Sequence, residues 1–247
     1  MLEDVRAATE APPTAVMPGV VPPPSLRRWT VGETIAGLYE VTGILGEGGM
    51  GTVYRVRHLE WSIDLAVKSP LPQLLRSPRG AEAFEREAET WVGLGLHPNV
   101  VSCFYVRRID GIPRVFAECV EGGSLHDWIR NRSLRRLESM LDIAIQAAWG
   151  LDYAHRQGVI HQDVKPANIL VSSAGVAKIT DFGLARAWVG APGLGGELEG
   201  AGGATALVTS GAMTPAYCSP EQHSGQRLSR RTDIWSWAVA VLEMFVG

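Results

Sequence analysis

The alternation of apolar and polar residues changes character partway along the chain. Tyr39 to Leu45 is mostly β-branched or apolar, and Ile63 to Lys68 forms another short run of the same kind. Between them, Thr52 to His58 alternates, with Tyr54 and Val56 on one face and Arg55 and Arg57 on the other. Ala81 to Leu96 instead places Phe84, Ala88, Trp91 and Val92 at helical spacing. Val100 to Arg108 and Pro113 to Cys119 flank Asp110-Gly111, a pair that tolerates positive φ at both central positions of a tight hairpin. The expectation for this half is five strands and one helix.

Beyond Cys119 the period lengthens. Ser124 to Arg130 and Leu137 to Gln157 read as helices, the second with an apolar stripe of Leu141, Ile145, Ala148, Leu151 and Ala154. Short strands, a long irregular segment and a closing helix follow. Residues 187–212 are rich in glycine and alanine, so they bury too little surface to offset their ordering entropy, and a mobile loop is expected. Residues 1–30 contain APPTAVMPGVVPPP. Proline fixes φ and removes backbone donors, so this stretch reads as a disordered leader, with a polyproline docking ligand as the alternative.

Composition narrows the function classes. A chain of 247 residues holds one large domain or two small lobes. The net charge of −3 gives no electrostatic reason to expect nucleic acid or an anionic membrane as partner. Cys103, Cys119 and Cys218 lack a CxxC spacing, which argues against a disulfide framework or a thiolate metal site and favours a cytoplasmic setting. The acidic start MLEDVRAATE lacks an apolar segment, and the run Ile234 to Gly247 is too short to span a bilayer, so no membrane association is evident.

Candidate chemistry begins at Gly46-Glu47-Gly48-Gly49-Met50-Gly51-Thr52-Val53, which fits GxGxxGxV. A dinucleotide-binding turn needs a helix directly after the glycines, and here a strand pattern follows. A Walker A loop needs GK[ST], which is absent. A strand–turn–strand flap remains, whose glycines admit close approach of phosphates, with Val53 against a base. On these residues alone a ligand-free glycine hairpin stays open.

Downstream, DLAVK, HQDVKPAN, DFG, TPAYCSPEQ and DIWSW follow in a fixed order. With these motifs, Tyr39 to Gly247 resembles the catalytic domain of a Hanks-type bacterial serine/threonine protein kinase. The resemblance implies an α+β bilobal fold with a five-stranded antiparallel N-lobe sheet, helix C, and a mainly helical C-lobe lacking its last helices. The domain would span residues 31–247, with the N-lobe at about 39–118 and the C-lobe at about 121–247.

The resemblance also implies ATP, with Mg²⁺ or alternatively Mn²⁺, and phosphoryl transfer to Ser/Thr hydroxyls of protein substrates. Lys68 would hold the α- and β-phosphates. Glu87 would pair with it, with Glu85 and Glu89 as competitors. Ala66 would share the adenine ceiling with Val53, and Glu118 and Val120 would supply hinge backbone groups. Ala117 falls at the gatekeeper position, where a small residue leaves space behind the adenine. Asp163 would orient the substrate hydroxyl, Lys165 would neutralise the moving phosphoryl, and Asn168 and Asp181 would bind the metal. His161 and Phe182 read as packing residues. Lys165 is the Ser/Thr-kinase form of this loop.

Three departures from the family stand out. Gln162 replaces the usual arginine, which implies little dependence on activation-loop phosphorylation, although Thr205, Thr209 and Ser210 are candidate phosphosites and Arg186 a candidate partner. The stretch from Asp181 to Glu221 is long for an activation segment; Thr214 would line the substrate site and Glu221 would anchor the segment. The chain stops shortly after Asp233-Ile234-Trp235-Ser236-Trp237, so a fragment is expected, without the arginine that pairs with Glu221. Asp233 would brace the catalytic loop, and Trp235, Trp237 and Phe245 would be left exposed. A pseudokinase, or a nucleotide-binding regulatory module without transfer activity, is the alternative function. The sequence does not give the oligomeric state.

Overall fold

A computed structural model describes residues 27–48, 51–71, 78–182 and 214–247. The expectations for the proline-rich leader up to residue 26, for Gly49, Met50 and Gly183, for the loop 187–212, and for Arg186, Thr205, Thr209 and Ser210 lie outside these residues.

The first half of the described chain forms one antiparallel sheet. Its strands are β1 (Thr34–Ile35), β2 (Tyr39–Gly48), β3 (Gly51–His58), β4 (Ile63–Pro70), β5 (Cys103–Ile109) and β6 (Ile112–Glu118), in the order β1-β2-β3-β4-β6-β5. The sheet therefore has six strands where five were expected. The additional strand is two residues long, too short to carry an alternation signal. Asp110 and Gly111 both take positive φ (53° and 75°), as the β5–β6 hairpin requires. β5 begins at Cys103 rather than Val100, because the Val101 N–H donates instead to the Ile179 carbonyl of the other lobe (2.8 Å).

Alternation gives the sheet two buried faces. On the outer face Tyr39, Val41, Tyr54, Val56, Leu65 and Phe116 pack with Trp29 and Ile35. Trp29 lies on the leader side of the boundary drawn at residue 30, yet it is 4% exposed. The inner face meets α1 (Pro78–Gly93), which buries Phe84, Ala88 and Trp91, with Val92 partly buried against the same core.

The second lobe is mainly helical: α2 (Leu125–Arg130), α3 (Leu137–Arg156), α4 (Pro220–His223) and α5 (Arg230–Val246), with a hairpin of β7 (Ile169–Val171) and β8 (Ala177–Ile179). Ser124, Ser219 and Ser229 each form a capping box at the start of α2, α4 and α5, giving orphan N–H groups of the first turn a side-chain acceptor.

The buried face of α3 differs from the expected stripe. Ile143, Ala144, Ala147, Gly150, Leu151 and Ala154 are buried, whereas Leu141 and Ile145 are 45% and 46% exposed. Small residues face inward because another backbone comes close: a Cβ on Gly150 would sit 2.3 Å from the Asn99 carbonyl oxygen. On α5, Trp235 and Phe245 are exposed as expected. Trp237 is not; it packs partly against the core and its indole N–H donates to the Ala144 carbonyl (3.1 Å).

Candidate active site

A cavity of about 680 Å³ lies between the lobes. From the small lobe, Leu45, Gly46, Val53, Ala66 and Lys68 face it. Ala117 to Val120 close one side, and Ala167 and Leu170 contribute from the large lobe. Trp91, Val101 and Val115 line it as well, so its wall continues past the small Ala117 side chain. Leu45 and Leu170 were not singled out in the sequence, because each reads there as an ordinary strand residue.

The glycine-rich segment enters this cavity unevenly. A Cβ on Gly46 or Gly48 would meet nothing within 4 Å, so a ligand has room against that backbone. Gly51 has a different reason to be glycine. Its φ is 136°, and a Cβ there would collide with the Ser69 carbonyl of β4. Glu47 is exposed and pairs with Arg28 (3.1 Å).

Charged groups from both lobes lie in and beside this cavity. Lys68 Nζ, on β4, lies 2.6 Å from Asp181 Oδ2, and the two side chains are 8% and 19% exposed. Glu87 sits on α1, partly buried. Asp163, also buried, accepts from Lys165 Nζ (2.6 Å) and from Asn168 Nδ2 (3.1 Å). Lys165 Nζ also donates to Thr214 Oγ1 (3.0 Å), which brings the segment before α4 to the same place. The Thr180 N–H donates to the Asn168 carbonyl (3.0 Å), which ties the backbone next to Asp181 to Asn168.

This donor set suits a hard cation. Asn168 Nδ2 is engaged by Asp163, both through its carbonyl (2.8 Å) and its carboxylate. That leaves the Asn168 amide oxygen as the acceptor of this side chain. No cluster of three or more His, Cys, Asp or Glu that would hold a metal occurs among the described residues. Two oxygen ligands are what a Mg²⁺ ion shared with phosphates and water needs, and too few for a cation held by protein alone.

The loop carrying Asp163 is fixed from below. Asp233 on α5 is fully buried and accepts from the N–H groups of His161 (2.8 Å) and Gln162 (2.7 Å) and from His155 Nε2 (2.7 Å). Gln162 has φ 70° and its carbonyl accepts from Gln222 Nε2 (2.8 Å). Gln222 was missed in the sequence, though its place in the α4 capping box was a readable signal. His161 and Phe182 are fully buried with ring centroids 4.7 Å apart, and His161 Nε2 bonds the Thr180 carbonyl (2.7 Å), which seats them as packing groups.

Glu221 accepts from the Thr232 hydroxyl (2.8 Å). Burial alone would raise its pKa; hydrogen bonds from backbone, Thr232 and Ser219, with Arg231 nearby, outweigh that and hold it low. At the hinge, Glu118 pairs with Lys178 of β8 (2.9 Å), its carboxylate accepts from the Ser102 N–H (3.2 Å), and its own N–H donates to the Ser102 carbonyl (2.9 Å). The Lys178 contact had no sequence signal. Cys103, beside the cleft, has its thiol pushed up to about 12 by burial and by the Asp181 charge.

Comparison with known proteins identifies the family of the chain. The protein kinase domain model matches residues 39–247. A probable serine/threonine-protein kinase of Clostridium perfringens is 34% identical over 218 residues, covering 88% of this chain and 30% of that protein. Serine/threonine-protein kinase PknJ of Mycobacterium tuberculosis is 34% identical over 224 residues, covering 88% of this chain and 35% of that protein. The chain thus spans about a third of the length of the curated relatives it matches. Among solved structures, the Mycobacterium tuberculosis PknI kinase domain, as a double mutant, superposes with a TM-score of 0.67 at 27% identity, covering 88% of this chain and 78% of that one. With the family model spanning all but the first residues, and an antiparallel small-lobe sheet over a mainly helical large lobe, the chain belongs to the protein kinase domain family.

Proposed function

We propose that this chain transfers the γ-phosphoryl group of ATP to serine or threonine hydroxyls of protein substrates. The observation that carries the reading is the meeting of Lys68 and Asp181 across the cleft at 2.6 Å, beside Asp163, Lys165 and Asn168. Bound ATP with Mg²⁺, or Mn²⁺, would supply the transferable phosphoryl and the metal charge that offsets it. Val53 and Ala66 would enclose the adenine, which the backbone of Glu118 and Val120 would address. The segment from Gly46 to Gly51 would cover the phosphates. Lys68 would hold the phosphates, oriented by Glu87, and Asn168 and Asp181 would hold the metal.

Asp163 would orient the acceptor hydroxyl and take its proton at the carboxylate. Its contacts with Lys165 and Asn168 fix that carboxylate in advance, and positioning is most of what a loose phosphoryl transition state demands. Lys165 would place positive charge beside the group in transit. Its second contact, to Thr214, supports a place for the protein substrate along that segment. Three cysteines without a disulfide support a cytosolic placement of this domain. No helix among the described residues is long and apolar enough to cross a membrane.

Incubation with radiolabelled ATP, Mg²⁺ and a generic protein substrate tests the reading. Asp163→Ala and Lys68→Met should each lower transfer by about two to three orders of magnitude, in the range for removing a preorganised charged group. Equal labelling by both variants refutes it. Nucleotide-dependent thermal stabilisation without transfer identifies the regulatory-module alternative.

A further inference from the structure

Behind the nucleotide cleft, on the outer face of the small-lobe sheet, lies a second and much smaller cavity of about 80 Å³. Because side chains alternate along a strand, Ser69 points away from the cleft that Lys68 faces, and Arg114 points away from the cleft that Val115 faces. Arg27, Arg28, Thr52, Tyr54, Ser69 and Arg114 all reach this space. Three guanidinium groups and three hydroxyls, with no carboxylate in the lining, make an unusual set.

Arg114 is the centre of it. The residue is 2% exposed, although guanidinium groups are rarely buried without a carboxylate beside them. It makes no ion pair among the described residues. Its Nη1 donates to Ser69 Oγ (2.6 Å), and its carbon lies 4.0 Å from the Trp29 ring centroid, a cation–π contact. Its Nε is buried with no hydrogen-bond partner, the one such side-chain atom among the described residues. Burial lowers its pKa to about 10, with Tyr54 and Asp110 as the charges that act against that fall. A charged fork has thus been taken out of water and left with donors to spend.

We infer that this cavity is a binding site for a phosphate group, in which buried Arg114 supplies the anchoring charge and Arg27, Arg28, Thr52 and Ser69 complete the donor set. The volume is that of two or three waters, enough for one phosphate and far too little for a nucleotide. A guanidinium offers paired N–H donors that match two oxygens of a phosphate, and the unused Nε is one of them. Arg27 and Arg28 now pair with Glu33 and Glu47, but these arginine side chains are 66% and 71% exposed, and ion pairs at such positions are weak and exchange readily. The site lies outside the cleft, so it does not depend on the transfer reaction proposed above. Its donors are consistent with inorganic phosphate or with a phosphorylated side chain.

Titration calorimetry with inorganic phosphate on the 247-residue chain, against chloride at equal ionic strength, tests the proposal. Phosphate should bind the wild-type chain, and should still bind Lys68→Met, which removes one cation of the cleft. Arg114→Met should weaken binding at least tenfold. If that variant does not fold, the surface double variant Arg27→Ala/Arg28→Ala should weaken it severalfold. No phosphate binding to the wild type, or affinity unchanged in these variants, overturns the inference. A phosphoserine peptide that binds more tightly than inorganic phosphate identifies a phosphorylated protein as the source. Equal or weaker binding of the peptide identifies the free ion.

Discussion

Replacing Asp233 by alanine should cost this domain much of its stability, through the loop it supports. The carboxylate is fully buried and serves three donors: the His161 and Gln162 N–H groups at 2.8 and 2.7 Å, and His155 Nε2 at 2.7 Å. Asp233→Ala leaves the two backbone donors inside the protein without acceptors. Each orphaned donor costs about 1–3 kcal/mol. Loss of an acidic residue from the first turn of α5 adds about 0.3–1 kcal/mol, and the better helix propensity of alanine returns about 0.7 kcal/mol at most. The net loss is about 2–6 kcal/mol, against roughly 5–15 kcal/mol for a typical domain. Asp233→Asn keeps one oxygen but turns an amide N–H₂ toward a donor, so it should fall between wild type and alanine. Urea unfolding followed by circular dichroism measures both. If Asp233→Ala unfolds within about 1 kcal/mol of wild type at an unchanged m-value, the three hydrogen bonds are not supporting the loop.

Other outcomes follow from the same structure. Gly150→Ala gains about 1 kcal/mol of helix propensity, yet its Cβ would sit 2.3 Å from the Asn99 carbonyl oxygen; a lower melting temperature is expected, and a higher one would mean that the Asn99 backbone yields freely. The cavity wall continues past Ala117 to Trp91, Val101 and Val115, so ATP analogues with a bulky N6 group should compete with ATP, and Ala117→Phe should abolish that competition while sparing ATP itself; failure of the analogues against the wild type refutes this. The Arg55 guanidinium, with help from Arg57, holds the Asp64 carboxyl below the ordinary range despite partial burial. A depressed folded-state pKa stabilises above the unfolded value of about 3.9 and is lost as pH falls through the folded value. The stability gap between wild type and Asp64→Asn should therefore shrink below about pH 3.9 in urea titrations, and a gap that stays constant to pH 2.5 would refute the assignment.

The parts of the fold written in short range were legible from residues alone. Asp110-Gly111 announced its hairpin because positive φ at two successive positions is a local demand. Phe84, Ala88 and Trp91 announced the buried face of α1 because all three are bulky or lie beside bulky groups at one spacing. The same logic failed on α3, where hydrophobicity ranks Leu141 and Ile145 above Ala144, Ala147 and Gly150. Which face packs there was decided by the room that the Asn99 backbone needs, a tertiary fact with no period. The charged centre of the cleft was legible through spaced motifs. Its supports were not, since Gln222 to Gln162 and Lys178 to Glu118 each join residues far apart in the chain.

The seam at the back of the molecule also constrains how the lobes move. Val101 is stitched to Ile179, Ile179 to Asn99, and Lys178 to Glu118, so the β7–β8 hairpin of the large lobe is fastened to the small lobe along a line at the rear of the cleft. Rotation about such a line resembles the opening of a book held at its spine. For a given angle, residues near the spine, including Ala117 and Val101, shift less than residues far from it. Opening about this line would therefore disturb the Ala117 wall of the cavity least.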